Sequence, residues 1–156
     1  MSDSALKLTV VIDNCVPTGG SPSFLGEHGL SMLIETAGQK ILLDTGKSDA
    51  LIHNLSLLGV APGNLDMIVI SHGHNDHTGG LYHVLAHARK TMPVFIHEEA
   101  FKARFSMSSG QMSFAGIPYR QEQLTTMGAS WRFAHEPVEI LPGLWLSGSV
   151  PRTNAY

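Results

Sequence analysis

The 156 residues make one domain's worth of chain, 43% hydrophobic and 15% charged, which provides a core and excludes a disordered polypeptide. A net charge of -3 with no basic run excludes nucleic acid as the expected main partner. The lone cysteine, Cys15, excludes an internal disulfide, the Met-Ser-Asp-Ser start shows no signal peptide, and no apolar run is long enough to span a membrane. A cytoplasmic protein is therefore expected. Cys15 itself reads as a small buried apolar residue, with metal ligation as the alternative.

In chain order, residues 6–13 alternate and are rich in Val, Ile and Leu, which predicts a strand. Residues 14–24 hold Pro17, Gly19, Gly20 and Pro22 and predict a loop, either plain surface or bordering a site. Strands are predicted over 29–36 and 40–44, joined by a tight turn at Ala37-Gly38-Gln39. His28, just before the second strand, reads as a surface histidine or as a residue behind the site. Residues 48–58 predict a helix with Ser48 as N-cap and Leu51, Ile52, Leu55 and Leu58 as its apolar stripe. His53 and Asn54 fall off that stripe and are expected in solvent. Gly59 ends the helix and Pro62-Gly63 turns the chain.

Met67-Ile68-Val69-Ile70 is apolar and partly β-branched, so it predicts a buried strand. Directly after it comes Ser-His-Gly-His-Asn-Asp-His-Thr-Gly-Gly at 71–80. His72, His74, Asp76 and His77 are the nitrogen and oxygen ligands that a borderline-soft divalent ion prefers. The stretch follows the C-terminal end of a strand, where α/β folds place their chemistry. His72 and His74 are two apart, so on an extended segment they project the same way and can hold one ion. Asp76 and His77 follow once the chain turns and can serve a second. A merely solvated histidine-rich loop is the alternative.

The helical pattern resumes at about Gly80, and 80–89 places Leu81, Val84, Leu85 and Ala88 on one face. His83 and His87 are expected at its surface. A strand over 94–97, a helix over 98–106 and an irregular stretch over 107–126 follow. There Phe114, Tyr119 and Arg120 either meet a flat ring and a phosphate or simply pack the loop down. Strands are predicted over 130–134, 138–141 and 144–149, with a turn at Pro142-Gly143.

His72-x-His74-x-Asp76-His77 resembles the signature of the metallo-β-lactamase-fold hydrolases. Lys40-Ile41-Leu42-Leu43-Asp44-Thr45-Gly46 resembles the strand of that superfamily that ends in Asp-Thr-Gly. Glu27-His28-Gly29-Leu30-Ser31, residues 71–81, Leu141-Pro142-Gly143 and Gly148-Ser149-Val150-Pro151-Arg152 are similar to its dihydropterin–aminobenzene-phosphate synthase branch. The resemblance implies an α/β (α+β) fold, an αββα sandwich of two similar halves. The chain resembles the N-terminal half, a mixed sheet with flanking helices. One domain over 1–156 is expected, incomplete at its C-terminus, with another histidine, a bridging aspartate and a last histidine expected downstream. The family also implies that Asp44 supports the metal loop without binding the ion.

The function expected is hydrolysis by metal-activated water. His72 and His74 hold one ion and Asp76 and His77 another, with Asp76 also orienting the water. Zinc is the expected ion, one or two of them, with manganese and iron as alternatives. The family implies a pterin- or phosphate-bearing substrate. No serine or cysteine nucleophile with a nearby base is evident. The competing expectation is a non-catalytic or truncated metal-binding module that needs a second half or a partner chain. Its apolar strands then predict self-association.

Overall fold

The structure is a computed structural model that describes residues 5–16, 19, 23–151 and 153. Pro17, Gly20, Pro22, the Met-Ser-Asp-Ser start and Arg152 lie outside the described residues. The first three strands are β1 (Lys7–Ile12), β2 (Ser31–Thr36) and β3 (Gln39–Leu43), followed by helix α1 (Ala50–Leu57). Strand β4 (Met67–Val69), the short helix α2 (Asn75–Thr78), helix α3 (Leu81–Ala88) and strand β5 (Met92–Ile96) come next. Then follow β6 (Phe105–Ser108), β7 (Gln111–Phe114), α4 (Gln121–Thr126), β8 (Ala129–Phe133), β9 (Val138–Leu141) and β10 (Leu144–Leu146).

Six strands form one mixed sheet in the order β1-β2-β3-β4-β5-β8. β1, β2 and β3 pair antiparallel, whereas β3, β4, β5 and β8 run parallel. The turn between β2 and β3 holds Ala37 and Gly38 at φ 49° and 76°, the left-handed pair that a two-residue hairpin loop requires. Leu33, Leu42, Ile68, Val94 and Ile96 point to one face of the sheet. Leu51 and Leu55 of α1, Leu81, Val84 and Leu85 of α3, and Leu124 of α4 cover them. The predicted stripe of α3 is thus buried, while His87 lies outside and turns Nδ1 to the carbonyl of His83. On the opposite face Ile34, Ile41 and Val69 are covered by the β9–β10 hairpin through Ile140, Leu141, Leu144 and Leu146. Towards the β1 edge that face is open, with Leu8 and Val10 more than half exposed. No helix among the described residues is long and apolar enough to cross a membrane.

Several expectations are corrected. Asn54 is buried, not solvated. Its amide donates to the carbonyls of Val11 and Leu25 at 2.7 and 2.8 Å and accepts from Leu25 N at 2.9 Å, which ties α1 to β1 and the loop beyond it. Cys15 is exposed, beyond the end of β1 on the rim of a cavity that Val10, Val16 and Leu25 also line. Helix α1 starts at Ala50 with Asp49 as its N-cap residue, one position later than expected, while Ser48 Oγ accepts from Ala50 N at 3.1 Å and donates to Glu27 Oε2 at 2.6 Å. Strand β5 includes Pro93, whose missing N–H costs little because pairing with β4 begins only at Val94.

Residues 98–106 are not one helix. A single 3₁₀ turn, Glu98–Phe101, gives way to β6. Arg104 binds the carbonyls of Glu99, Ala100 and Lys102 and thereby ends that turn. The supposedly irregular stretch contains a hairpin, β6–β7, turning at Ser109 and Gly110 with φ 50° and 78°, and then α4.

Candidate metal centre

The Ser71–Gly80 stretch leaves the sheet at the C-terminal end of β4, between its parallel neighbours β3 and β5. His72 and His74 are on the extended part and the chain turns before Asp76, as expected, but helix begins before Gly80. Asp76 and His77 already lie on α2, with His74 as its N-cap residue. The loop is fastened from three directions. Asn75 N donates to Ala115 O at 3.0 Å, and Thr45 N to His77 O at 2.8 Å. Tyr119 Oη donates to Gly79 O at 3.0 Å while its ring stacks on Tyr82 with centroids 5.3 Å apart. Burial pushes the Tyr119 phenol upward, and Tyr82 and Asp49 add to it. Tyr119 therefore packs the loop down. Phe114 is exposed against Phe105, and the backbone N of Arg120 starts α4 by donating to Gln123 Oε1.

Gly73 lets the loop lie against the 3₁₀ turn. A Cβ there would stand 2.0 Å from the carbonyl oxygen of Ala100, so no side chain fits between His72 and His74.

Asp44 controls the imidazoles from beneath. It is 1% exposed and held at φ 56°, a left-handed conformation that aspartate tolerates better than most residues. Its Oδ1 accepts from Ser71 N at 2.8 Å. Its Oδ2 accepts from Ser71 Oγ at 2.6 Å and from His77 Nδ1 at 2.8 Å. A carboxylate only accepts, so Nδ1 of His77 carries the proton and Nε2 keeps its lone pair. Ser71 has one hydroxyl proton and gives it to Asp44, so at 2.9 Å it accepts from His72 Nδ1. Nε2 of His72 is thereby also a lone-pair nitrogen. One buried carboxylate thus sets two ring tautomers, the arrangement that orients metal-binding histidines.

The four side chains of the pattern converge as two pairs. His72 Nε2 faces His74 Nδ1 at 3.0 Å, and His77 Nε2 faces Asp76 Oδ2 at 3.6 Å. The rings of His72 and His77 touch, with centroids 4.2 Å apart. Burial pushes the His72 imidazole below its ordinary pKa, with His77 and His74 acting the same way and Asp44 and Asp76 opposing them. Among the described residues no group of three or more His, Cys, Asp or Glu side chains is already arranged to hold a metal ion.

His28 is at the surface, as expected, and also beside the site. His28 Nε2 lies 3.4 Å from Asp76 Oδ2, a contact spanning 48 residues that no local pattern signals. His97 and His135 stack edge to face with centroids 5.1 Å apart. Nδ1 of His97 accepts from Glu99 N at 3.2 Å, so Nε2 carries the proton and donates to Ser149 Oγ at 2.9 Å. In that tautomer His97 cannot take a proton from Ser149, which removes a serine–histidine pair from consideration. A cavity of about 360 Å³ runs from Ser71 past His97 to Trp145 and Gly148. The larger cavity, about 510 Å³, lies between β1 and α1 and is lined by none of the four pattern residues. The smaller one is lined by none of the four either, but it reaches Ser71, next to His72 in the chain.

Sheet order, loop placement and donor pairs together define the class. Residues 25–147 match the family model of the metallo-beta-lactamase superfamily, and the chain belongs to that superfamily. Two curated proteins of Methanocaldococcus jannaschii are similar to it. One is 7,8-dihydropterin-6-methyl-4-(beta-D-ribofuranosyl)-aminobenzene-5'-phosphate synthase, 32% identical over 85% of this chain and 47% of the relative. The other is an uncharacterised protein, 31% identical over 96% of this chain and 55% of the relative. The crystal structure of a metal-dependent hydrolase of the β-lactamase superfamily superposes with a TM-score of 0.68 at 27% identity, over 90% of this chain and 47% of that one. The chain spans about half the length of these relatives.

Proposed function

We propose that the Ser71–Gly80 loop binds divalent metal and that the chain carries the metal-binding side of a hydrolytic site. The observation that carries this reading is the pair His72 Nε2 and His74 Nδ1, 3.0 Å apart, with the tautomer of His72 set through Ser71 and Asp44. A tetrahedral ion with donors at ~2.0–2.1 Å separates neighbouring donors by about 3.3–3.4 Å. The two observed separations, 3.0 and 3.6 Å, bracket that value, so the donor set fits. Nitrogen donors with one carboxylate suit zinc, and manganese or iron are the alternatives. A bound ion of this kind supplies Lewis-acid activation of water near neutral pH. Of the chain's own residues, His72, His74, Asp76 and His77 hold the ion or ions. Asp44 fixes two of the rings, and Asp76 also orients the water through its free oxygen.

A small pterin- or phosphate-bearing substrate is supported by the name of the synthase relative and by the cavity beside Ser71. A cytoplasmic location belongs to the same proposal. A second reading is favoured by one observation, that the donors stand in pairs rather than in a closed set of three. On that reading the chain is a metal-binding module that needs a second half or a partner chain. Self-association through the open sheet face near Leu8 and Val10 then supplies the cover.

Metal titration of single variants tests the site. His74→Ala is expected to weaken binding by about a hundredfold or more, beyond the roughly 10–100-fold lost with an outer partner of a metal ligand. His83→Ala, on the outer side of α3, is expected to change nothing. Equal losses from both would remove the loop as the binding site.

A further inference from the structure

His28 lies outside the metal-loop pattern, yet the chain around it is built to deliver its ring to Asp76. On one side, the Glu27 carboxylate accepts from Lys47 N at 2.7 Å and from Ser48 N and Oγ at 3.0 and 2.6 Å. On the other, Gly29 N donates to Asn14 Oδ1 at 3.1 Å, and Leu30 N to the carbonyl of Asp76 at 3.4 Å. Gly29 sits at φ 150°, and a Cβ there would lie 2.3 Å from that same carbonyl oxygen. Only glycine lets the segment approach Asp76 so closely.

The mount is rigid, but the side chain it carries is 72% exposed and so contributes little to packing. Its Nε2 stands 3.4 Å from Asp76 Oδ2, further than the ~2.7–2.9 Å of a charge-assisted hydrogen bond. That separation instead matches the edge of about 3.3–3.4 Å between two ligands of one tetrahedral ion. The same Oδ2 stands 3.6 Å from His77 Nε2.

We infer that His28 is a third donor to the divalent ion of the Asp76–His77 pair, so that this half of the site is two imidazoles and one carboxylate from this chain alone. The inference rests on the metal reading above. The backbone of His28 is fixed and its ring is exposed. Rotation about its own side-chain bonds closes the third side without moving the fold. The ion it would take is a first-row divalent metal that accepts mixed nitrogen and oxygen donors, zinc or cobalt among them.

Cobalt(II) titration of the metal-stripped full chain, followed by visible absorption, tests this because band position and intensity report the donor set directly. Wild type is expected to take up two equivalents. His28→Ala and His28→Gln are expected to weaken the second by about tenfold or more and to shift its spectrum, leaving the first unchanged. Gln keeps the side chain's bulk without the ring nitrogen, so its loss separates ligation from shape. Unfolding curves of both variants should match wild type, since the side chain is exposed. If both bind the second cobalt with wild-type affinity and spectrum, His28 is no ligand, and the inference falls while the metal reading stands. If wild type binds no cobalt, the metal reading falls and takes the inference with it.

Discussion

Asp44→Ala is expected to destabilise the chain by about 3–5 kcal/mol, the scale on which removing one partner of a buried charged network acts. Three donors converge on this carboxylate, Ser71 N, Ser71 Oγ and His77 Nδ1, all within 2.8 Å. Its site is closed to water, with Asp44 1% exposed, so the orphaned donors gain no substitute partner. Alanine also takes on the left-handed backbone at φ 56° without a polar side chain to offset it. Asp44→Asn separates the two contributions, because asparagine accepts that backbone but presents one acceptor oxygen instead of two. It should fall between wild type and Asp44→Ala. Urea unfolding is the measurement, and a lower midpoint at unchanged slope is the expected form. Wild-type stability in Asp44→Ala would mean that the loop is held by other contacts.

Gly73→Ala is expected to damage stability and metal binding together. The new Cβ would meet backbone, standing 2.0 Å from Ala100 O, 2.7 Å from its C and 2.8 Å from its Cα. That backbone cannot give way easily, because the Arg104 guanidinium holds the carbonyls of Ala100 and Glu99 at 2.7 and 2.9 Å. The loop must move instead, and the part that moves lies between His72 and His74. Overpacking of this kind costs about 1–3 kcal/mol, occasionally more. Gly110→Ala is the control. It is left-handed, at φ 78°, which Gly73 is not, and a Cβ there meets nothing within 4 Å. It should cost only the backbone strain of about 1–2 kcal/mol and leave metal affinity intact. Thermal unfolding and metal titration on both variants check this. Similar metal affinity in the two would show that the close approach at Gly73 does not set the imidazole geometry.

The parts legible in the sequence were those with local causes. The β2–β3 turn shows in Ala37-Gly38, the buried face of α3 in Leu81, Val84, Leu85 and Ala88, and the place of the Ser71–Gly80 loop in the apolar strand before it. What escaped was decided by partners far along the chain. Asn54 looks like a solvated position beside the stripe of α1, but the carbonyls that bury it belong to Val11 and Leu25. His28 reaches Asp76 only because the sheet carries β2 beside the loop. The β6–β7 hairpin left a signal that could have been used. Phe105, Met107, Met112 and Phe114 alternate with polar residues on either side of Ser109-Gly110, and the structure pairs Phe105 with Phe114 and Met107 with Met112. The fixed tautomers of His72 and His77 have no sequence signal, since they follow from where Asp44 and Ser71 meet in space.

Crystals of the full chain grown with zinc, measured at the zinc absorption edge, test the central claim most directly, because anomalous scattering locates the ion itself. The account predicts a peak at ~2.0–2.1 Å from both His72 Nε2 and His74 Nδ1. A zinc-loaded crystal whose anomalous peaks lie elsewhere, with those two nitrogens still sharing a hydrogen bond, would contradict it.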